Sequence, residues 1–197
     1  MVKEENYSIQ AKNLMEMIIK DCEISLMNFQ RDNFLISEIK KLRFNINNRI
    51  RKISDLSELK TDLKSNTFKV IVFNTDYMDI ITEQLNELSL DYKIDGQYIF
   101  IKKKELTFNQ LLSIVDEIKK FETKNLTKCT KAKLEPVLRA RNAVENDFID
   151  QVISRETSKA CEQIYLETEL KIHELCEKRI QKLLGKDLYK KYTDEVR

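Results

Sequence analysis

The sequence predicts an α+β protein, a long three-helix bundle with a small β-containing domain inserted after the first helix. Only two glycines and one proline occur in 197 residues, so turn formers are scarce and helix must dominate. Charged residues make up 35% of the chain, a fraction that suits long solvated helices. Between residues 39 and 103 the apolar pattern changes to the alternation and short continuous runs that are typical of strands.

The first element is an amphipathic helix. Its apolar residues recur at spacings of 4, 3, 4 and 3, which is the narrow heptad stripe of a helix that packs in a bundle. These residues are Met15, Ile19, Cys22, Leu26 and Phe29.

The middle of the chain alternates between strand and helix patterns. "LRFNINNRI" predicts two short strands joined by an Asn-rich turn, and "NTFKVIVFN" predicts a buried strand. "TDYMDIITEQLNEL" predicts a short helix with a Thr or Asp N-cap and apolar residues at Met78, Ile81, Leu85 and Leu88. Asp95 and Gly96 lie between "YKI" and "YIFIKK", which predicts a type I′ or similarly tight hairpin.

Two long helices complete the chain. The first begins after a capping Thr107, and Pro136 predicts a kink in it or its end. The last runs to Gly185, a candidate C-cap. We therefore expect residues 1–32 and 105–197 to form the bundle and residues 33–104 to form the inserted domain.

Composition excludes several function classes. The net charge is only +2, so a nucleic-acid partner would have to be bound by local clusters of charge. The four cysteines are far apart and His173 is the single histidine, which predicts free thiols in a reducing compartment, no metal site and no cofactor. No apolar run reaches membrane-spanning length, and "MVKEENYSIQ" lacks the apolar core of a signal peptide. Nothing supplies a nucleophile or a phosphate-binding glycine loop, so we expect no enzyme activity.

Five segments occur in an order that points to one protein family. "NFLISEIKKLRFNINNRIRKISDL" passes from the first helix into strands, and "TFKVIVFNTDYMDIITEQL" is a strand followed by a short helix. "IDGQYIFIKKKELTFNQ" contains a glycine turn, a return strand and the start of a long helix. "VENDFIDQVI" is an acidic connection into the last helix, and "RIQKLLG" fits its end. Over roughly residues 10–190, this arrangement resembles ribosome recycling factor.

The resemblance implies an L-shaped arrangement of bundle and β domain and a translation factor without chemistry of its own. Such a factor binds large-subunit ribosomal RNA and splits post-termination ribosomes together with a GTPase elongation factor. It implies a monomer with no membrane partner, in an organelle matrix (mitochondrion or plastid) or a bacterial-type cytoplasm. It also implies that the β domain swings about two linkers near residues 31–36 and 102–106, with hinge residues at Asp32, Asn33, Lys104 and Glu105.

A basic face is the candidate RNA-binding surface. Lys120, Lys124, Lys128 and Lys131 are spaced by 4, 4 and 3 and share one helix face, where phosphates could be bound. Lys133, Arg139 and Arg141 extend this face, and the resemblance adds Arg31. Alternatively, the face is an ordinary solvated one, although Glu122 is the only acid between residues 119 and 133.

Two other interpretations stay open. "SEIKKLRFNINNRIRK" is a second basic segment, which either binds RNA or protects exposed strand edges against pairing. The whole chain could also be a non-catalytic helical interaction module that keeps the fold without ribosome binding. Such a module would depend on seam residues such as Ile19 or Ile164 rather than on lysines.

Overall fold

The computed structural model describes residues 5–61 and 66–196. These residues form two units: one contains the chain up to Phe29 and from Phe108 onward, and the other is Gln30–Thr107. In chain order the elements are α1 Glu5–Leu26, α2 Arg31–Lys41, β1 Arg43–Ile46, β2 Arg49–Lys52, α3 Ile53–Leu56, β3 Ser57–Thr61, β4 Thr67–Val72, a 3₁₀ turn Thr75–Tyr77, α4 Met78–Glu87, β5 Tyr92–Asp95, β6 Tyr98–Lys102, α5 Phe108–Glu145 and α6 Gln151–Val196.

The helical unit is a bundle in which α1, α5 and α6 all pack against one another. Most of the predicted stripe of α1 faces this core, since Met15, Cys22 and Leu26 are buried and Ile19 is half-buried. Phe29 lies beyond the end of α1, and its ring packs against that of Phe121 at a centroid distance of 5.5 Å. No helix within the described residues is both long and apolar enough to cross a membrane.

Helix α5 does not end at Pro136, so the helix end, one of the two outcomes predicted there, is wrong. Helix α5 runs from Phe108 to Glu145 with Pro136 inside it. The proline removes one backbone donor from the helix, but Pro136, Val137 and Ala140 are all buried in the bundle. Packing along the full length of α5 therefore outweighs the lost hydrogen bond.

Gly185 interrupts α6 but does not end the helical part of the chain. Its φ of 75° and ψ of 174° are non-helical, and helix resumes after it. The Tyr189 hydroxyl donates a hydrogen bond to Glu177 Oε2 at 2.9 Å. Residues twelve apart would be separated by roughly 18 Å along a straight helix. The last segment therefore turns back at Gly185, and its Tyr192 is buried.

Three elements of the second unit were not predicted from the sequence: α2, α3 and β3. The segment 31–36, expected to be a linker, is the first part of α2, whose Leu35 and Ile39 are buried. The linker prediction for this segment is therefore wrong. Two buried residues at i and i+4 are too short a pattern to identify a helix by periodicity.

The second unit holds two antiparallel sheets. One is the β1–β2 hairpin, and the other has the order β3-β4-β6-β5. Asn47 and Asn48 both have positive φ, the pattern of a type I′ turn. In the β5–β6 hairpin the two loop residues are Gly96 and Gln97, and Gly96 has a φ of 57°. The hairpin predicted around Gly96 is confirmed.

One face of the four-stranded sheet forms the core of this unit. Phe68, Val70 and Val72 alternate along β4, and Ile99 and Ile101 alternate along β6, all at most 1% exposed. They pack with buried residues of the helices, Leu35, Ile39, Ile81 and Leu85. The side chain of Asn74 accepts a hydrogen bond from the Asp76 backbone N–H and so caps the turn before α4, in place of the predicted Thr or Asp.

Candidate nucleic-acid interface

Three of the predicted cations form an exposed lysine face on α5. Lys120, Lys124 and Lys131 are exposed, and on a helix with 3.6 residues per turn they project in similar directions. Among the described residues, no carboxylate forms an ion pair with any of the three. Their ammonium groups can therefore contact an anionic partner without first breaking an ion pair. We call Lys120, Lys124 and Lys131 the α5 lysine face.

Lys128 lies beside this face but is tethered to its own helix. Its Nζ donates a hydrogen bond to Asn125 Oδ1 at 3.2 Å. Asn125 is 1% exposed, and its Nδ2 donates in turn to the Phe121 carbonyl oxygen at 2.9 Å. This hydrogen bond holds the Lys128 ammonium against its own helix, although the side chain is exposed.

Lys133 is paired with a carboxylate of another helix. Its Nζ lies 2.8 Å from Glu162 Oε2, and the Lys133 side chain is only 19% exposed. The same ammonium lies 4.3 Å from the centroid of the Tyr165 ring. These contacts join α5 to α6, so Lys133 has a structural role in the bundle.

Arg139 is held in a similar way on the side of α5 that faces α1. Its Nη2 donates to Glu135 Oε1, and its Nη1 donates to Gln10 Oε1 at 3.3 Å. The charges of Arg139 and Glu135 therefore balance each other beside the lysine face.

Arg141 lies in a groove with two further cations that sequence reasoning did not select. Arg141 of α5 and Arg155 and Lys159 of α6 line a groove of about 510 Å³. Arg155 and Lys159 are four residues apart at the start of α6, so their shared helix face was readable from the sequence. Their proximity to Arg141 was not, because it depends on how the two helices pack.

The remaining predicted residues belong to the second unit. Arg31 is the first residue of α2 and is exposed. Asp32 and Asn33 follow it in the helix, and Asp32 Oδ2 accepts a hydrogen bond from Lys103 Nζ at 2.8 Å. Lys104 and Glu105 lie in the stretch 103–107, which has no helix or strand. The hinge role of these residues stays a prediction.

His173 joins α6 to α5. Its Nδ1 lies 2.8 Å from Glu122 Oε1, and the Glu122 side chain is 17% exposed. The hydrogen bond to Glu122 raises the pKa of His173, because it favours the protonated imidazole. In residues 5–61 and 66–196, no three His, Cys, Asp or Glu side chains are grouped as metal ligands.

Comparison with solved structures places this geometry in a known fold. A solution structure of the ribosome recycling factor matches with a TM-score of 0.51 and 13% identity, covering 94% of this chain and 100% of that one. The chain has the fold of ribosome recycling factor. The T. thermophilus ribosome recycling factor, built with E. coli elongation factor G on the E. coli post-termination complex, matches at 0.50 with 14% identity. That match covers 93% of this chain and 100% of the other.

The resemblance to ribosome recycling factor and the predicted α+β class are therefore confirmed as statements about fold. No protein-family model and no curated protein sequence matches the chain. At 13–14% identity the roles of individual ribosome recycling factor residues do not transfer by alignment.

Proposed function

We propose that this protein is a recycling-type translation factor that binds large-subunit ribosomal RNA and acts with a GTPase elongation factor. The observation that carries this proposal is the shared fold, which extends over 94% of this chain and all of the ribosome recycling factor chain. Because both units are included in that match, the proposal concerns the whole chain rather than one domain.

The α5 lysine face is the proposed RNA contact. Its three ammonium groups lie on a rigid helix, and they have no carboxylate partners among the described residues. A lysine binds phosphate as a point charge, without the bidentate geometry of arginine. This face would therefore contribute salt-dependent affinity for the RNA backbone rather than base recognition. Arg141, with Arg155 and Lys159, would extend the contact towards the end of the bundle.

The GTPase in this proposal is the partner. The only two glycines, Gly96 and Gly185, are isolated, so the chain has no glycine-rich loop to hold a nucleotide phosphate. Energy for subunit splitting would come from GTP hydrolysis on the elongation factor. The chain itself would act by binding and by displacement of its β-containing unit about residues 103–107.

Co-sedimentation with isolated large ribosomal subunits tests the RNA contact. We expect saturable binding near one copy per subunit, which is lost when Lys120, Lys124 and Lys131 are changed to Glu. A matched control changes three exposed lysines on α1 and α6, namely Lys20, Lys171 and Lys182, to Glu. Removal of each lysine–phosphate interaction should reduce the slope of log K against log salt by about 0.9. Equal binding by the two triple variants would contradict the proposed surface.

Exposed apolar residues favour one alternative, a helical protein-interaction module. Met17 and Ile24 of α1 are 62% and 66% exposed, and Leu134 and Leu138 of α5 are 47% and 51% exposed. Residues of this type at helical spacing can pack against a partner helix. Under this alternative, changing Met17 and Ile24 to Gln abolishes partner binding, and subunit binding is absent at low salt.

A further inference from the structure

The second face of the four-stranded sheet lies outside the core of its unit. Strand pairing places Lys69 opposite Phe100 and Ile71 opposite Tyr98, and directly paired residues lie on the same face of a sheet. The core residues Phe68, Val70, Ile99 and Ile101 alternate with these and lie on the other face. Ile71, Tyr98 and Phe100 are absent from the core cluster and are half-buried. We call the face that carries them the outer sheet face.

Two aromatic rings lie next to each other on this face. Tyr98 and Phe100 are two residues apart on β6, with ring centroids 6.4 Å apart and ring planes inclined by 56°. The Lys69 ammonium of β4 lies 3.8 Å from the Tyr98 ring centroid and 5.6 Å from that of Phe100. Both rings already interact with a cation through their π-systems, so these π-systems are directed away from the core.

Lysines surround the rings. The strand register puts Lys60 of β3 opposite Lys69, Lys93 of β5 opposite Phe100 and Lys102 at the end of β6 opposite Thr67. Lys60, Lys93 and Lys102 are exposed. Two carboxylates also lie on this face: Glu58, which is paired with Ile71 and lies 3.6 Å from Lys60, and Asp95, which is paired with Tyr98 at the end of β5. The cationic part of the outer sheet face is therefore the row of paired residues that contains Phe100, with Lys60, Lys69 and Lys93.

A groove continues from the rings to the edge strand. It has a volume of about 450 Å³ and is lined by Phe100, Lys93 and Lys102 together with Asn66, Thr67, Asp91 and Tyr92. Beside the Phe100 ring, the groove is lined by two lysine side chains, one amide and one carboxylate, that of Asp91. A sugar-phosphate backbone has the negative charge that these ammonium groups complement.

We propose that the outer sheet face binds single-stranded RNA, with unpaired bases stacked on Tyr98 and Phe100 and phosphates paired with Lys60, Lys93 and Lys102. Aromatic side chains that stack unpaired bases, within a positively charged surface, are the physical basis of most single-strand recognition. On binding, Lys69 leaves the rings and pairs with a phosphate, exchanging a half-buried cation–π contact for a charge pair. This contact does not depend on the α5 lysine face, which lies in the other unit, and it selects unpaired RNA rather than duplex.

Fluorescence anisotropy with the full-length chain tests the proposal. The probes are a labelled oligouridine RNA of about twelve nucleotides, within the range of known single-strand sites, and an RNA duplex of the same length. We expect the single strand to bind more tightly than the duplex. Changing Tyr98 and Phe100 to Leu keeps an apolar cover on the sheet but removes the stacking surface. This change should raise the dissociation constant by on the order of tenfold or more.

Two further variants control for a non-specific effect of losing an aromatic ring and for misfolding. Changing Phe148 to Leu, an aromatic residue that is 76% exposed in the loop before α6, should leave binding unchanged. Changing the exposed Lys60, Lys93 and Lys102 to Gln leaves the core intact. It should reduce the salt slope of single-strand binding by about 2, at roughly 0.7 for each phosphate that is no longer neutralised. A wild-type dissociation constant in the Tyr98 and Phe100 variant, or equal affinity for strand and duplex, would overturn the proposal.

The same measurement separates this inference from the proposed function. The variant with Glu at Lys120, Lys124 and Lys131 should keep its affinity for oligouridine but should no longer bind large ribosomal subunits. If that variant instead loses oligouridine binding and the Tyr98 and Phe100 variant does not, the stacking proposal fails and the α5 contact stands. If the variants of the outer sheet face lose oligouridine binding but the wild-type protein does not bind large ribosomal subunits, the stacking proposal stands. Only the proposed recycling function then fails.

Discussion

Arg179 of α6 donates hydrogen bonds to backbone carbonyl groups just after the end of α1. Its Nε and Nη2 donate hydrogen bonds to the Phe29 carbonyl oxygen at 3.0 and 2.7 Å. Nη2 also reaches the Met27 carbonyl oxygen at 3.5 Å. Helix ends leave carbonyl groups without intrahelical partners, and a cation there also interacts favourably with the helix dipole. Changing Arg179 to Met keeps an unbranched apolar chain but removes every one of these interactions.

The expected loss of stability follows from these hydrogen bonds. A hydrogen bond with a charged partner contributes about 1.5–3 kcal/mol, and a favourable charge at a helix end about 0.3–1 kcal/mol. Arg179 is half-buried, so water can replace part of the hydrogen bonding that the variant lacks. The lower end of the range therefore applies, about 2 kcal/mol in free energy of unfolding. For a chain of this size, that corresponds to a fall of roughly 4–8 °C in Tm.

Urea titrations followed by circular dichroism at 222 nm measure this loss, because the signal comes mainly from α1, α5 and α6. Changing Arg179 to Lys keeps the charge but loses the forked donor geometry, so we expect roughly half the loss. The matched control changes Lys178 to Met. Lys178 is exposed, and its Nζ lies 3.7 Å from Glu174 Oε2. The free energy of unfolding of the Lys178→Met variant should therefore stay within about 0.5 kcal/mol of the wild-type value. Equal stabilities of the Arg179→Met and Lys178→Met variants would refute the reasoning.

Three other outcomes are open to measurement. Changing Gly185 to Ala puts a side chain at φ 75° and ψ 174°, a region nearly restricted to glycine, and should cost about 1–3 kcal/mol; an unchanged urea midpoint would contradict this. Since the hydrogen bond to Glu122 raises the pKa of His173, Glu122→Gln should be less stable than wild type below pH about 6.5. That difference should vanish as the pH rises through the raised value, and a pH-independent difference would exclude His173 as its source. Burial raises the pKa of Cys129 to about 11, and all four cysteines are buried. A thiol reagent should therefore react with the protein only after unfolding. Rapid labelling of the native protein would show a more open bundle.

Much of the fold could be predicted because its signals are local. The burial of Met15, Cys22 and Leu26 follows from heptad spacing, and the hairpin at Gly96 follows from one turn residue between two β-rich runs. Helix α2 was missed because its buried face consists of only Leu35 and Ile39. A pattern that short cannot be distinguished from a loop without the core against which it packs.

The candidate site was less predictable, because part of its charge pairing joins two helices. The sequence places Lys133 with the other cations, but the structure pairs it with Glu162 of α6. The pair of Arg139 with Glu135 is different, since the two residues are four apart on α5 and their contact was readable from the spacing. Glu162 is 29 residues from Lys133, beyond any helical repeat. The outer sheet face was missed for a related reason. Tyr98 and Phe100 are ordinary strand formers in the sequence, and only the strand register brings Lys69 over their rings.

From the sequence alone one can read the fold class, the three long helices of the bundle and the two tight hairpin turns. These depend on backbone preferences and on apolar periods that act over a few residues. Three other features depend on packing: which cations lack carboxylate partners, where the chain turns back after Gly185, and which sheet face stays outside the core. Each of them needs groups far apart in the chain to come within a few ångströms of each other, and a local pattern of residues carries no record of such contacts.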